Sequence, residues 1–221
     1  MLTVSEENYL KAIYKILERS GETNASTKAI ASELGTSPAS VTDMLRKLSD
    51  KELLNYEKYY GVSLSREGQR LALELIRKHR LWEVFLCTQL RFAWDEVHEI
   101  AEQLEHVQSD ELIQRLDEFL GYPKFDPHGD PIPNKNGSFT FRQQSVLSQI
   151  RNKDSEVLIL GVRTHQKPFL QYLDTMSIHP GRKLKIRQYN SFEKIHTLET
   201  EQHEIIHLGH EISSEIWVRL A

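Results

Sequence analysis

Ser26-Thr27-Lys28-Ala29-Ile30-Ala31-Ser32-Glu33-Leu34-Gly35-Thr36-Ser37-Pro38-Ala39-Ser40-Val41-Thr42-Asp43-Met44-Leu45-Arg46-Lys47-Leu48 decides how the chain is read. Ser26 or Thr27 opens a helix through Leu34 that turns Ile30, Ala31 and Leu34 inward and stops at Gly35. Ser37 caps the next helix with Pro38 in its first turn, and Val41, Met44, Leu45 and Leu48 face inward. A short Gly-containing turn between two such helices is the pattern of a helix-turn-helix. Upstream, residues 5–19 predict an amphipathic helix capped by Ser5, with Tyr9, Leu10, Ile13, Ile16 and Leu17 inside. Downstream, Leu54 and Tyr56 alternate opposite Val62 and Leu64 around a turn at 58–61, as in a hairpin. Three helices and a hairpin make a winged helix-turn-helix over residues 1–72.

Ser37, Pro38, Ala39, Ser40, Thr42 and Asp43 stand at the start of the second motif helix, where base edges are reached. Arg46 and Lys47 suit phosphates. Thr27 and Lys28 on the preceding helix, with Lys58 and Tyr59 at the wing tip, complete the candidate DNA contacts. A winged helix that serves only protein interaction is the alternative.

Residues 73–140 read as a helical segment. In His98-Glu99-Ile100-Ala101-Glu102-Gln103-Leu104-Glu105-His106, the apolar residues Val97, Ile100, Ala101 and Leu104 form one stripe at ~3.6 residues per turn. His98, Glu102, Glu105 and His106 form a second beside it. Two imidazoles and two carboxylates at the edge of a buried face call for a counter-charge. Nitrogen and oxygen donors without thiolate suit manganese, ferrous iron, cobalt or zinc. A solvated face of helical ion pairs is the other reading. His79 and Glu83, at i and i+4 on a second buried helix, offer a matching pair. Residues 73–127 hold 6 basic and 12 acidic side chains, against 10 of each in residues 1–72, so negative charge collects where a cation would bind.

The 221 residues are 39% hydrophobic and 27% charged, with net charge −4, which fits a globular protein and does not by itself advertise nucleic-acid binding. No apolar run is long enough to span a membrane. The start has no secretory pattern, and the lone Cys87 suits a reducing cytoplasm. Three apolar middle helices are too few to bury one another well, so a homodimer is expected. Residues 121–138 are rich in Pro and Gly, and Asp126-Pro127-His128-Gly129-Asp130 reads as a turn rather than a metal site. Helical signals persist to about Ile150. Strands are expected at 157–162, 184–187, 205–208 and 216–220, making a small barrel over 141–221.

These motifs in this order resemble the DtxR/MntR family of metal-dependent repressors. The likeness rests on Tyr9-Leu10-Lys11-Ala12-Ile13-Tyr14, Arg77-Lys78-His79-Arg80-Leu81, Glu102-x-x-Glu105-His106-Val107, Ser109-Asp110-Glu111 and His128-Gly129-Asp130-Pro131-Ile132-Pro133. The resemblance implies an ancillary metal site of His79, Glu83 and His98. It implies a primary site of Asn8, Glu102, Glu105 and His106, with Glu7 as substitute for the neutral Asn8. Glu102 as a hard oxygen donor points to Mn2+ over Fe2+, with Zn2+ or Co2+ able to stand in. Lys11 occupies a position where some manganese-type members place a carboxylate, which argues against a close two-manganese cluster. The tail resembles the SH3-like domain of longer members, with His165 as its candidate ligand and Gln166 in reserve. The implied partner is a palindromic duplex operator. A metalloenzyme is the rival class, but His98-Glu99 lacks the second His of a zinc-hydrolase motif, since position 102 is Glu.

Overall fold

A computed structural model describes residues 2–57 and 60–221, so Lys58 and Tyr59 lie outside the described residues. The chain forms two compact units. The first comprises Met1–His79, Glu102–Asp110 and Pro133–Ser138, and the second Arg80–Ala101, Glu111–Ile132 and Phe139–Ala221.

In the first unit, α1 (Val4–Ser20), α2 (Thr27–Glu33) and α3 (Pro38–Asp50) precede the hairpin of β1 (Leu54–Glu57) and β2 (Gly61–Leu64). The cap of α1 is Thr3 rather than Ser5: its hydroxyl accepts from the Glu6 amide while Glu6 reaches back to the Thr3 amide. Ser26 and Ser37 cap α2 and α3 as expected. Leu10, Ile13, Ile30, Val41, Leu45, Leu48 and Val62 are buried together, each contributing on the order of 1.5–3 kcal/mol by burial. Tyr56 pairs with Val62 and Leu54 with Leu64. Ala25 adds two backbone hydrogen bonds to Val62, of 2.8 and 3.0 Å. At Gly61 φ is +97°, and a Cβ there would meet the Ala25 carbonyl oxygen at 2.7 Å, so only glycine lets the hairpin close on this edge.

Among the helices that supply residues to both units are α4 (Arg66–Thr88) and α5 (Val97–Leu104). The α5 helix stops at Leu104, so Glu105 and His106 lie in the following turn and not on one helical face with His98. Lys78 Nζ donates to the Val107 carbonyl at 3.2 Å, satisfying a carbonyl of the turn beyond this helix end.

In the second unit, α6 (Asp110–Phe119) buries Ile113 and Leu116 against Leu81, Val84 and Ile132. The rest is a six-stranded antiparallel sheet in the order β3-β8-β4-β5-β6-β7. Its strands are β3 (Ser145–Val146), β4 (Glu156–Val162), β5 (Lys183–Asn190), β6 (Ile195–Thr200), β7 (Ile205–Leu208) and β8 (Ile216–Leu220), with α7 (Lys167–Thr175) and α8 (His210–Ser213) between. The helix expected to continue to Ile150 is absent: Ser145 and Val146 pair with β8 instead, and only a 3-10 turn at Leu147–Gln149 follows. Trp94 packs into the sheet core with Leu147, Ile159, Leu170 and Val218. Its indole donates to Asp174 Oδ1 at 2.8 Å. No helix among the described residues is long and apolar enough to cross a membrane.

The 126–130 loop docks on β4 through Val162 N–H to the His128 carbonyl, 2.8 Å. A Cβ at Gly161 would lie 2.2 Å from that oxygen and 2.7 Å from Gly129 Cα. Neither atom belongs to a flexible side chain. Gly161→Ala should therefore cost about 2 kcal/mol and lower the melting temperature by roughly 5 °C. Gly209→Ala, where a Cβ meets nothing within 4 Å, should leave it unchanged in the same calorimetric scan.

Candidate metal centres

In the first unit, α1 brings Glu7, Asn8 and Lys11 to the turn that follows α5. Glu105 is fully buried. One of its oxygens, Oε2, lies 2.6 Å from both Lys11 Nζ and His79 Nδ1. Lys11 Nζ also donates to Glu102 Oε1 at 2.5 Å. Burial pushes the Glu102 carboxyl up, but the Lys11 charge and hydrogen bond, helped by His79 and Lys15, outweigh it and hold the group below the usual carboxylate range.

The other Glu105 oxygen, Oε1, has no hydrogen-bond partner, and neither has the buried Asn8 Oδ1. An unsatisfied buried oxygen is costly. His106 Nε2 lies 3.8 Å from Glu105 Oε1, while its Nδ1 sits 2.6 Å from Glu7 Oε2. A carboxylate can only accept, so Glu7 fixes the proton on Nδ1 and leaves the Nε2 lone pair facing Glu105. Glu7 also accepts from the Gln108 amide at 2.9 Å. An orphaned hard oxygen beside an oriented imidazole is a donor pair that a divalent cation completes.

The second unit holds another cluster. Glu83, 1% exposed, lies 3.2 Å from His98 Nδ1 and 3.8 Å from His128 Nδ1. Glu83, Asp126 and His128 present ligand atoms within 4.8 Å of one another, all buried. The Trp94 carbonyl lies 2.7 Å from His128 Nε2 and can only accept, so Nε2 carries the proton. Nδ1, without a hydrogen-bond partner, is the atom turned toward Glu83. Asp126 Oδ1 accepts the backbone amides of His128 and Asp130 at 2.9 and 3.0 Å. Its Oδ2 lies 3.6 Å from Arg80 Nε. His165 stacks on His128 with ring centroids 4.4 Å apart and lies 3.7 Å from Asp130.

Burial works against a charge on His128, yet the Glu83 and Asp126 carboxylates push its pKa up to about 9. Burial, with Asp130 and Glu83, pushes Asp126 up to about 7. Burial and the His128 charge push His165 down to about 4. Cys87 is driven up to about 12 by burial and is an inert core thiol.

Of the expected site residues, His79, Glu102, Glu105 and His106 thus meet in the first unit, whose α1 also carries Asn8, and Glu83, His98 and His165 meet in the second. Asp126 and His128, read from sequence as part of a turn, are in the second cluster as well. The turn reading was right about the backbone, and the signal passed over was the spacing of Asp and His at i and i+2 beside Glu83. Gln166 caps α7 without a side-chain hydrogen bond. In the sheet, His196 Nε2 lies 2.9 Å from the Ile150 carbonyl and His203 pairs with Glu199.

On α3, Ser37, Pro38, Ala39, Ser40, Asp43, Arg46 and Lys47 are exposed and Thr42 half-buried. Lys28 is exposed and Thr27 half-buried. Thr42 Oγ1 donates to the Pro38 carbonyl at 2.9 Å, and Arg46 lies 3.7 Å from Asp43.

Residues 1–62 match the family described as "Iron dependent repressor, N-terminal DNA binding domain", residues 65–134 its "metal binding and dimerisation domain", and residues 147–220 the "FeoA domain". The HTH-type transcriptional regulator MntR of Oceanobacillus iheyensis is 36% identical over 127 residues, 57% of this chain and 84% of that protein. The diphtheria toxin repressor of Corynebacterium jeikeium is 36% identical over 132 residues. That match covers 60% of this chain and about half, 54%, of the repressor. A solved structure described as a manganese-dependent transcriptional repressor in complex with manganese superposes with a TM-score of 0.82 at 31% identity, covering 98% of this chain and 100% of that one. With a matching reading head, a matching metal-binding segment and a matching tail in the same order, the chain belongs to the DtxR/MntR family of metal-dependent transcriptional repressors.

Proposed function

We propose that this chain is a homodimeric, cytoplasmic repressor whose grip on a palindromic operator is switched on by Mn2+, with Fe2+ as the alternative and Zn2+ or Co2+ as substitutes in vitro. The observation that carries the reading is the pair of orphaned oxygens, Asn8 Oδ1 and Glu105 Oε1, in the same unit as the exposed face of α3. We assign DNA reading to residues 1–72, dimerisation and metal binding to 73–140 and an SH3-like domain to 141–221.

Asn8, Glu102, Glu105 and His106 would hold one ion, oriented by Glu7. Glu83, His98, Asp126, His128 and His165 would hold another. The bound cation supplies positive charge that ties α1 to the turn after α5. Asn8 is carried by α1, whose Leu10 and Ile13 share a core with Val41 and Leu45 of α3. Fixing α1 therefore fixes the reading helix, and an ion that favours this arrangement shifts the population toward it. Nothing in this scheme is turnover: the residues bind and orient. Phe119, Tyr122 and Leu112, on and just past α6, are exposed apolar side chains that a second copy would cover.

In fluorescence anisotropy on promoter DNA, Glu102→Ala or His106→Ala should abolish manganese-activated binding while sedimentation still shows a dimer. Unchanged activation in both would reject the assignment. Arg46→Ala and Lys47→Ala should each weaken all duplexes alike and reduce the slope of log affinity against log salt by about one.

Protons compete with the ion at the second centre. Since the folded His128 pKa lies above its ordinary value, its contribution to the metal-free fold is full below pH 6.5 and is lost as pH rises through about 9. Asp126, also raised, adds a penalty that grows above pH 3.8 and is full above about pH 7. The metal-free melting temperature should therefore fall between pH 6 and 9.5, His128→Gln should flatten most of that fall, and saturating Mn2+ should reverse it. A metal-free curve that rises over this range would contradict the assigned charges.

A further inference from the structure

We infer that the Lys11 ammonium is a resident cation occupying a second, three-donor position in the first-unit centre, and that it limits this centre to a single divalent ion. The inference rests on the assignment of Glu102, Glu105 and His106 proposed above.

Three ligand atoms, one each from His79, Glu102 and Glu105, lie within 4.8 Å of one another. By donor type and separation they would suit a divalent ion. Their centre is filled. Lys11 Nζ lies 2.5 Å from Glu102 Oε1, 2.6 Å from Glu105 Oε2 and 3.4 Å from His79 Nδ1. The Lys11 side chain is 5% exposed, so its charge has no route to bulk water while α1 stays packed. Tyr9, Leu10, Ala12 and Ile13 on either side of it are buried.

The two oxygens of Glu105 divide the work. Oε2 serves the ammonium and His79, whereas Oε1 is the orphan near His106 Nε2. A divalent ion can take Oε1 and His106 Nε2, 3.8 Å apart, without displacing Lys11. A second one would have to expel the ammonium and leave a buried, unpaired charge, the arrangement proteins tolerate least. The charge balance agrees: two carboxylates and one lysine leave a single net negative charge, and Asn8 adds none. One divalent ion reverses that charge, and a second would leave the site strongly positive. In the metal-free chain the same ammonium holds Glu102 and Glu105 to α1, so Lys11 keeps the donors assembled before any ion arrives.

The test counts manganese. In full-length protein with the second centre disabled by His128→Ala, Mn2+ alone is titrated, and bound ion is counted by equilibrium dialysis and electron paramagnetic resonance. The Lys11 parent should bind one Mn2+ per protomer, and Lys11→Arg should also bind one. Lys11→Glu should bind two, with the spectrum of a spin-coupled pair, and its metal-free form should melt at a lower temperature than the parent and recover with Mn2+. Two ions in the parent would overturn the inference, since the ammonium would then be displaceable. So would a single ion in a Lys11→Glu protein with native circular dichroism. If Lys11→Glu does not fold, Lys11→Gln poses the same question: two ions support the resident-cation role and one ion refutes it. Undiminished binding in Glu102→Ala would instead overturn the underlying site assignment, whatever the Lys11 variants do.

Discussion

A fully buried carboxylate, Glu105, is the constraint on which the first unit turns. A carboxylate removed from water has to be matched by positive charge or hydrogen-bond donors on every side. Lys11 and His79 satisfy one oxygen, and the other is left facing His106. The helix that would have placed Glu105 and His106 on a regular surface ends one residue earlier, at Leu104. This break lets two consecutive residues, Glu105 and His106, address the same region.

The consequence for the reading head follows from shared packing. The residues that touch the charged cluster and those that build the helix-turn-helix core alternate along α1: Glu7 and Lys11 on one side, Tyr9, Leu10 and Ile13 on the other. A close-packed core transmits displacement because its side chains have no slack. Lys51 of the segment after α3 adds a direct tie, donating to Glu6 at 2.6 Å. The device therefore needs no long relay. The helix that carries Glu7 and Lys11 to the charged cluster is one of the three that build the helix-turn-helix core.

Much of this was legible in the sequence, and what was not has physical causes. The caps Ser26 and Ser37 and the Leu54/Tyr56 against Val62/Leu64 alternation placed the winged helix correctly because local chemistry and tertiary packing agree there. Strand β6 escaped notice because its inward face is His196, Leu198 and Thr200, so hydrophobic alternation barely registers. The helix expected up to Ile150 failed because β8 claims the backbone of Ser145 and Val146, a partner more than 70 residues away that no local window contains. Asp126 and His128 were discounted because Pro and Gly explain the turn; the turn is real, and it also delivers a carboxylate and an imidazole to Glu83. A loop signal and a ligand signal can coexist, and composition reports only the first.

Both clusters solve the same electrostatic problem with different cations. In the first unit an ammonium offsets one of two carboxylate charges; in the second the Asp126 and Glu83 carboxylates are met by Arg80 and by a proton retained on His128 up to about pH 9. Neither cluster is left as bare negative charge, so neither has to fly apart when no divalent ion is bound. In the second unit an ion would then gain only the difference between its own interaction and that of the proton it displaces, and in the first it would bind beside an ammonium that stays and repels it; only such a net difference can shift a conformational equilibrium. A site without built-in cations would bind more tightly, but it would also saturate at the lowest metal concentrations and lose its use as a gauge. On the proposed assignment Lys11 and His128 would lower the affinity toward the range in which a change in metal supply changes occupancy, and occupancy is what α1 would pass to the reading helix.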